Sequence, residues 1–515
     1  MHFFEWLLIL LAGAVVATAI ARKLKLPYPS LLALGGTALA LLPDTPAFTL
    51  DPALTLALFV APVLLDAAFD TSLRDLKRLW VPVLCLVVIA VGITTLAVAW
   101  LVHALVPGMP WAACIALGAI VAPPDAAAAS AVLRSLNIPH RMVVLLEGES
   151  LLNDATALLI YRLAVTAVTG VEFTAAHMAW QSGAMVASVF VGFALAHLYT
   201  RVTRLITDIP SSIVLQFVGT FGLWILAERI GLSAIVTVVV YAITASRVAP
   251  ALTPAQLRLP SYAVWETVVF VLNVLAFVLI GLQLRPILSA LEPAEREQYL
   301  AVALAVLGMV VVVRILWVFL YNRAAWLKAK LFGPGSWPGA TPPSLGGSLI
   351  ISWCGMRGIV TLAAAYALPA GGNGAAAFPY RELILLCAFT VVVGTLIVQG
   401  LTLRPLIHAL GLKDDGSVEQ EIRAVKQRLA SVALDILDGD GSEAARMLRE
   451  EFVTPAPNGD GTVPESQRTV RNRLRARVVA AQRDALVRMR NTAEIGDDAF
   501  HRIEEMLDRF EVNVR

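Results

Sequence analysis

Long apolar runs, broken by short polar or charged stretches, dominate the chain from Phe3 to Leu403. A helix that crosses a bilayer needs about 20 mostly apolar residues, because each residue advances only about 1.5 Å along the axis. On this criterion the chain has about thirteen candidate spans. Their predicted limits are Phe3–Ile20, Tyr28–Leu42, Pro52–Phe69, Trp80–His103, Trp111–Leu133, Met142–Val168, His177–Tyr199, Ser211–Ala227, Leu232–Ser246, Ala263–Leu284, Tyr299–Tyr321, Gly346–Leu368 and Leu383–Leu403. The pattern predicts an all-α polytopic membrane protein.

The pattern changes after Leu412, where charged residues become frequent. Apolar residues then recur at helical spacing in two further segments, which indicates amphipathic helices. A stretch rich in proline and glycine, 454–461, predicts a linker between them. We therefore predict a transmembrane domain over residues 1–411 and a cytoplasmic helical tail over 412–515. The tail either docks on the bundle or on a second copy, or is a solvated appendage without a regulatory role. The recurring apolar residues are Ile422, Val425, Leu429, Val432, Ile436, Phe500, Ile503, Leu507 and Phe510.

Composition excludes an ordinary soluble protein. Hydrophobic residues make up 58% of the chain and charged residues 15%, and the mean hydropathy is +0.75. A soluble domain has roughly 25% charged residues. The net charge of +2 gives no reason to expect a nucleic-acid partner. The four cysteines stand singly in apolar runs and are interpreted as small core residues, with no disulfide or metal-site spacing.

Basic residues are distributed unevenly between the predicted loops. The positive-inside rule assigns loops rich in lysine and arginine to the cytoplasm. It therefore predicts an external N-terminus and a cytoplasmic C-terminus. The apolar N-terminus reads as a retained span and not a signal peptide, which favours a bacterial inner membrane. Loops after odd-numbered spans carry Arg22, Lys23, Lys25, Arg74, Lys77, Arg78, Arg134, Arg141, Arg201, Arg204, Arg247, Arg258, Arg323, Lys328, Lys330 and Arg404, whereas the others carry only Arg229, Arg285, Arg296 and Arg381.

The segment Glu147–Thr156 places carboxylates inside an otherwise apolar span. Such residues are costly at membrane depth, so they usually bind, pair or carry protons. On a helix, Ser150 and Asp154 share one face, and Glu149 and Asn153 share the neighbouring face. We expect the first pair to face a cavity and the second pair another helix. Asp154 then offers oxygens to a hard cation, or holds a proton in competition with it.

A second polar cluster, Ala122-Pro123-Pro124-Asp125, lies in the preceding span. Proline breaks a helix, and a broken helix at membrane depth is tolerated where it lines a cavity or is buried in protein. Freed carbonyls and Asp125 would add oxygens to the same site. The alternative is a simple kink with Asp125 at a helix N-terminus.

Two arginines and one further aspartate lie in apolar spans. Arg314 needs a partner, for which we choose Glu149; the alternative is that Arg314 snorkels to the interface. Arg357, between glycines, could offset the negative ends of half-helices. Asp66 is as readily a cap or surface carboxylate as a functional group.

At these residues the chain resembles the monovalent cation:proton antiporters of the NhaP type, relatives of the sodium/proton exchangers. The string Glu149-Ser150-Leu151-Leu152-Asn153-Asp154 is the most specific match, and weaker ones extend from Pro62 to Pro405. The resemblance implies thirteen spans in two inverted six-helix repeats, with discontinuous crossing helices. It also implies a mobile core domain beside a dimerisation domain, and usually a homodimer.

The resemblance also implies roles for seven residues. Asp154 matches the aspartate that binds cation or proton, and Asp125 and Ser150 match positions around the Na⁺ ion. Glu149 and Arg314 match a structural ion pair that the family's asparagine, here Asn153, contacts, and Arg357 matches the arginine of the second crossing helix. The chain departs from the family at the first crossing. There Pro124-Asp125-Ala126 replaces Thr-Asp-Pro, so a threonine ligand is missing.

We therefore expect an electroneutral antiporter that exchanges Na⁺ for H⁺ by alternating access in a lipid membrane. It would have no enzyme activity and no cofactor beyond the transported ions. Potassium/proton exchange on the same fold is the nearest alternative. A passive channel would not need a deep titratable site, and an intramembrane protease would need a Ser/His pair or paired aspartates.

Overall fold

The computed structural model describes residues 2–43, 51–125, 129, 133, 138–169, 175–333, 344–371, 377–412, 414–453 and 465–514. Within these residues all regular secondary structure is helical. The helices of the apolar part are α1 His2–Leu24, α2 Tyr28–Ala40, α3 Pro52–Asp70, α4 Leu73–Arg78, α5 Trp80–Leu105, α6 Trp111–Val121, α7 His140–Thr169, α8 Ala175–Thr203, α9 Ile209–Arg229, α10 Ala234–Leu252, α11 Ala255–Leu282, α12 Leu284–Ala290, α13 Arg296–Phe332, α14 Leu345–Trp353, α15 Ile359–Tyr366 and α16 Arg381–Leu410.

The lengths of these helices confirm the predicted fold class. Among the described residues, nine helices are long and apolar enough to cross a membrane, and Trp111–Val121 and Ala234–Ala249 are shorter apolar helices. Several spans are irregular: π-helical turns interrupt α3 at Leu56–Val60 and α5 at Cys85–Ala90. The number thirteen and the inverted repeats stay predictions.

The apolar helices pack as two groups. The first helix group consists of α5, α6, α7 and α13–α16, which contact one another, with α6 between α5 and α7. The second helix group consists of α1–α3 and α8–α11, with α2 against α11 and α10 against α3 and α8. Contacts between the groups include α2 with α16 and α15 with α3. Both broken helices described below belong to the first helix group.

Helices α2 and α11 approach each other closely because glycines meet at their crossing. A Cβ atom added to Gly36 would lie 2.3 Å from the carbonyl oxygen of Val278. One added to Gly281 would lie 2.4 Å from the carbonyl oxygen of Ala33. Small residues at such crossings let two backbones pack tightly, which supplies much of the association energy inside a bilayer.

Four tail helices follow the apolar part: α17 Ser417–Asp438, α18 Glu443–Val453, α19 Glu465–Asn491 and α20 Asp497–Val514. They enclose hydrophobic clusters of their own, separate from the main core. Ile422, Val425 and Leu429 are buried there as their spacing predicts, as are Phe500, Ile503 and Leu507, but Phe510 is 51% exposed. The predicted linker, 454–461, lies outside the described residues, and the domain boundary at 411/412 stays a prediction.

Replacement of Gly36 by alanine tests the close helix crossing. We expect Gly36→Ala to destabilise the protein by about 1–3 kcal/mol, because the added methyl meets a backbone carbonyl that cannot yield easily. The adjacent Gly35→Ala is the control, since a Cβ there meets nothing within 4 Å and alanine favours a helix by about 1 kcal/mol. Thermal unfolding in detergent compares the two. Equal melting temperatures would contradict the crossing.

Candidate functional site

Two broken helices meet at the centre of the first helix group. Helix α6 ends at Val121, and residues up to Asp125 are not helical. Helix α14 ends at Trp353, and α15 begins only at Ile359. The backbone N–H of Asp125 donates a hydrogen bond of 2.6 Å to the carbonyl oxygen of Met356, which joins the two breaks. The break predicted at Pro123-Pro124 is therefore part of a crossing.

Arg357 satisfies the C-terminal end of α6. Its Nε donates to the carbonyl oxygen of Val121 at 3.0 Å, and its Nη2 to that of Ala122 at 3.2 Å. Its Nη1 also donates to the carbonyl oxygen of Gly355. The last carbonyls of a helix lack partners and carry partial negative charge, so a buried cation stabilises them. This is the placement that the sequence suggested for Arg357.

Arg314 does the same for α14 and also pairs with a carboxylate. Its two terminal nitrogens lie 2.6 and 2.9 Å from the carboxylate oxygens of Glu149. Its Nε and Nη2 also donate to the carbonyl oxygens of Ser352 and Ile351, at 3.2 and 3.1 Å. Arg314 is only 4% exposed and Glu149 only 1%. The expected ion pair is present, and Arg314 is held inside the bundle instead of snorkelling.

Asn153 is fully buried and lies against the first break. Its Nδ2 donates to the carbonyl oxygen of Pro124 at 2.8 Å. Its Oδ1 has no hydrogen-bond partner among the described residues. The resemblance implied a contact with the ion pair, whereas the hydrogen bond that the structure gives Asn153 goes to the break. Pro124 stands at the position where the family has threonine. Its carbonyl oxygen therefore already accepts one hydrogen bond, from Asn153.

A cavity of about 1220 Å³ reaches the crossing. Asp154, Asp125 and Ser150 all line it, whereas Glu149 and Asn153 are not among its lining residues. The two faces of α7 therefore separate as their spacing predicted. Asp154 is 8% exposed, and no basic side chain pairs with it in the described part of the chain. Asp66 also lines the cavity.

The cavity opens toward the end of the bundle that carries the tail helices, here called the tail face. Its wall there includes Arg204 after α8, Pro254 before α11, and three residues of α20. These three are His501, Arg502 and Glu505. Across the cavity from Asp154, the lining residues belong to the second helix group. The site therefore lies where the two helix groups face each other.

Two glycines at the second break have a role that the sequence did not reveal. A Cβ added to Gly358 would lie 1.5 Å from Oδ2 of Asp125, and one added to Gly355 would lie 2.5 Å from Cδ of Arg314. From the sequence, these glycines are expected only to loosen a helix. A side chain is excluded at these two positions because Asp125 and Arg314 approach them from other helices. The spacing Gly-Met-Arg-Gly was the only sign of this in the sequence.

The donor set suits a hard monovalent cation. Two carboxylates and a hydroxyl line the cavity, and such cations prefer oxygen ligands. In the described residues no group of three His, Cys, Asp or Glu side chains is arranged to hold a metal ion.

Comparison with known proteins identifies the family. The family model described as sodium/hydrogen exchanger, transmembrane, matches residues 8–409. The chain therefore belongs to the sodium/hydrogen exchanger family and is an integral membrane protein with a transporter fold. The sodium proton antiporter MjNhaP1 of Methanocaldococcus jannaschii has a similar fold, with a TM-score of 0.60 at 18% identity, over 79% of this chain and 98% of that one.

Two curated relatives cover almost all of this chain. An uncharacterised Na⁺/H⁺ exchanger of Mycobacterium tuberculosis is 28% identical over 98% of this chain and 95% of its own length. A sodium, potassium, lithium and rubidium/H⁺ antiporter of Bacillus subtilis is 26% identical over 99% of this chain and 78% of its own length.

Removal of one partner of the buried ion pair tests how much the pair contributes to the stability of the protein. We expect Glu149→Gln and Arg314→Gln each to cost about 3–5 kcal/mol, because each leaves a charge buried without compensation. The double variant should cost less than the sum of the two. Thermal unfolding measures this, with Arg323→Gln, an exposed arginine of the same helix, as control. Additive losses would show that the two groups do not interact.

Replacement of Gly358 by alanine tests the contact with Asp125. The new methyl must displace the Asp125 carboxylate, so we expect weaker cation binding with the fold kept. The measurement is the sodium concentration for half-maximal proton flux in proteoliposomes. Gly308→Ala is the control, because a Cβ on Gly308 meets nothing within 4 Å. An unchanged sodium dependence in Gly358→Ala would exclude Asp125 from the site.

Proposed function

We propose that this chain exchanges one sodium ion for one proton across a membrane, and that Asp154 binds the cation and the proton in turn. Membership of the sodium/hydrogen exchanger family supports this activity. The observation that carries the assignment to Asp154 is its position. It is a buried carboxylate on the cavity wall, with no basic side chain paired to it in the described chain.

The neighbouring charges support the choice of Asp154. Glu149 is neutralised by Arg314, and the guanidinium of Arg357 is bound to the end of α6. Glu149 is therefore not open to bind a transported cation. Asp125 and Ser150 line the same cavity and supply further oxygens for sodium.

Obligatory exchange follows from the cost of burying an unpaired charge. An empty, ionised Asp154 is expensive to carry through the bilayer core, whereas a bound sodium ion or proton compensates its charge. Only loaded forms would cross, so each cycle moves one cation against one proton with no net charge. The two helix groups are the parts that would move relative to each other, with the site between them.

Potassium is the second candidate substrate. The Bacillus subtilis relative is named for four alkali cations, and the missing threonine removes one hydroxyl from the site. Oxygen ligands alone do not select sodium over potassium; cavity size and ligand number do. We infer that a backbone carbonyl or water completes the shell near Pro124.

We further propose that the protein is a homodimer in a bacterial inner membrane, with its N-terminus outside and its tail helices in the cytoplasm. The excess of basic residues in the loops of the tail face supports this orientation. The apolar surface of α1 and α9, where Phe4, Val15 and Val218 are exposed, faces lipid or a second copy.

Loss of the Asp154 carboxylate tests the proposed function. We expect Asp154→Asn to abolish sodium-driven proton release from proteoliposomes that contain a pH dye, since an amide binds no exchangeable proton. Asp435→Asn, an exposed aspartate of α17, is the control. Exchange that persists in Asp154→Asn would refute the assignment. A signal that responds to clamped voltage would contradict electroneutrality, and a response to potassium alone would change the substrate.

A further inference from the structure

Helix α11 places an amide on the cavity wall that the second helix group forms. Asn273 lines the cavity and lies within a helix that is long and apolar enough to cross a membrane. Polar side chains at membrane depth are costly and commonly mark the path of a transported ion. We propose that Asn273 is the cation ligand of the second helix group, and that its amide oxygen binds the alkali cation at Asp154 when the two groups close around it. This inference rests on the proposed exchange, because it requires a cation at Asp154 and movement of the two groups.

The aromatic neighbours of Asn273 show where it lies along the bundle. Phe270 and Phe277 stand one helical turn before and after it, so the three side chains share one face of α11. Both rings contact Tyr28, the first residue of α2, with ring centroids 6.0 and 6.4 Å apart. All four residues line the cavity. Asn273 therefore lies beside the first turn of α2.

The first turn of α2 lies at the level of the helix crossing. A Cβ atom added to Gly400 would lie within 4 Å of both Oγ of Ser30 and Sδ of Met356, so these two side chains are neighbours. The carbonyl oxygen of Met356 accepts the hydrogen bond from Asp125 that joins the two breaks. Helix α11 also contacts α15, which begins directly after the second break. Asn273 is therefore at the depth of the crossing, on the opposite wall of the cavity.

The amide of Asn273 is available to a ligand. The side chain is partly buried, and it has no hydrogen-bond partner within the described part of the chain. A second amide of the same wall, that of Gln216, differs in this respect. Its Oε1 accepts from Nε1 of Trp265 at 2.7 Å, and its Nε2 donates to Oγ of Ser261 at 2.9 Å. Gln216 therefore has a structural role, whereas the amide of Asn273 is left to the cavity.

A neutral oxygen is the kind of ligand that fits electroneutral exchange at this position. A carboxylate there would add a charge to the loaded site, and an apolar side chain would leave one side of the cation without a ligand. An amide oxygen gives the cation a dipole and leaves the charge of the cycle unchanged. It also accepts a hydrogen bond from protonated Asp154, so it suits both loaded forms. The aromatic rings beside Asn273 lower the local dielectric, which strengthens both contacts.

The test compares full-length variants in proteoliposomes with a trapped pH dye. Asn273→Ala removes the amide oxygen, and Asn273→Leu removes it with little change in volume, which serves if the alanine variant fails to fold. Asn273→Asp keeps an oxygen at the position. The control is Thr267→Ala, because Thr267 is exposed on the same helix, donates to the carbonyl oxygen of Ala263 and is not among the cavity-lining residues.

We expect Asn273→Ala and Asn273→Leu to raise the sodium concentration for half-maximal proton flux by roughly 10-fold, since one polar contact with a charged group contributes about that factor to affinity. The increase should be smaller for potassium, because a larger ion stays farther from the oxygen and is attracted less. Asn273→Asp and the control should keep the sodium dependence of the wild-type protein. A lower maximal flux with an unchanged half-maximal concentration would assign Asn273 to helix packing and overturn the proposal.

A second measurement does not depend on transport. A cation that binds the folded protein raises its melting temperature, so sodium should stabilise the purified wild-type protein more than Asn273→Ala. An equal sodium-dependent rise in both proteins would overturn the assignment of Asn273, even with exchange confirmed. A rise that shrinks in Asn273→Ala, together with no proton flux in the wild-type protein, would refute the proposed exchange and support the ligand. The absence of both signals in the wild-type protein would overturn both.

Discussion

The bidentate contact between Arg314 and Glu149 is the interaction on which the arrangement of the site depends. It lies inside an apolar bundle, where an uncompensated charge costs several kcal/mol. The same guanidinium also binds the last carbonyls of α14, so one cation compensates a carboxylate and a broken helix end. This contact fixes α7, α13 and α14 relative to one another. Asp154 is thereby held beside the crossing on a helix whose neighbouring carboxylate is already neutral.

Arg357 has the corresponding role at the other break, at the end of α6. A helix that stops within a bilayer exposes carbonyls that water cannot reach, and Arg357 supplies donors to Val121 and Ala122. The two arginines donate hydrogen bonds to the last carbonyl oxygens of both broken helices, and both therefore have a structural role. Near the crossing the cavity wall carries the carboxylates of Asp154 and Asp125 and the hydroxyl of Ser150, which under the proposed function would bind a cation and not an anion.

The spans and the polar faces of α7 were predictable from the sequence. The predictions that failed concern contacts between residues on different helices. Local periodicity gave the spans and separated the two faces of α7, because a helix fixes neighbours within four residues. Arg258 was assigned to a loop, yet it is buried in α11 against Asp508, a residue 250 positions away. The contact of Asn153 with Pro124 was also missed, since the resemblance implied a different partner. Phe510 followed the apolar spacing but lies outside the tail core, because no neighbouring helix covers it among the described residues.

The sequence by itself determined that the chain is a helical membrane protein, which residues carry charge at membrane depth, and that Asp154 and Ser150 share a face. These properties follow from composition and from the 3.6-residue period of a helix, both of which are local. Only the tertiary structure decided which carbonyls the arginines reach, why Gly358 must lack a side chain, and that Asn273 of α11 lies at the depth of the crossing. Such contacts join residues far apart in the chain; Arg357 and Val121 are separated by 236 positions. Their geometry depends on how whole helices pack, which no local pattern encodes.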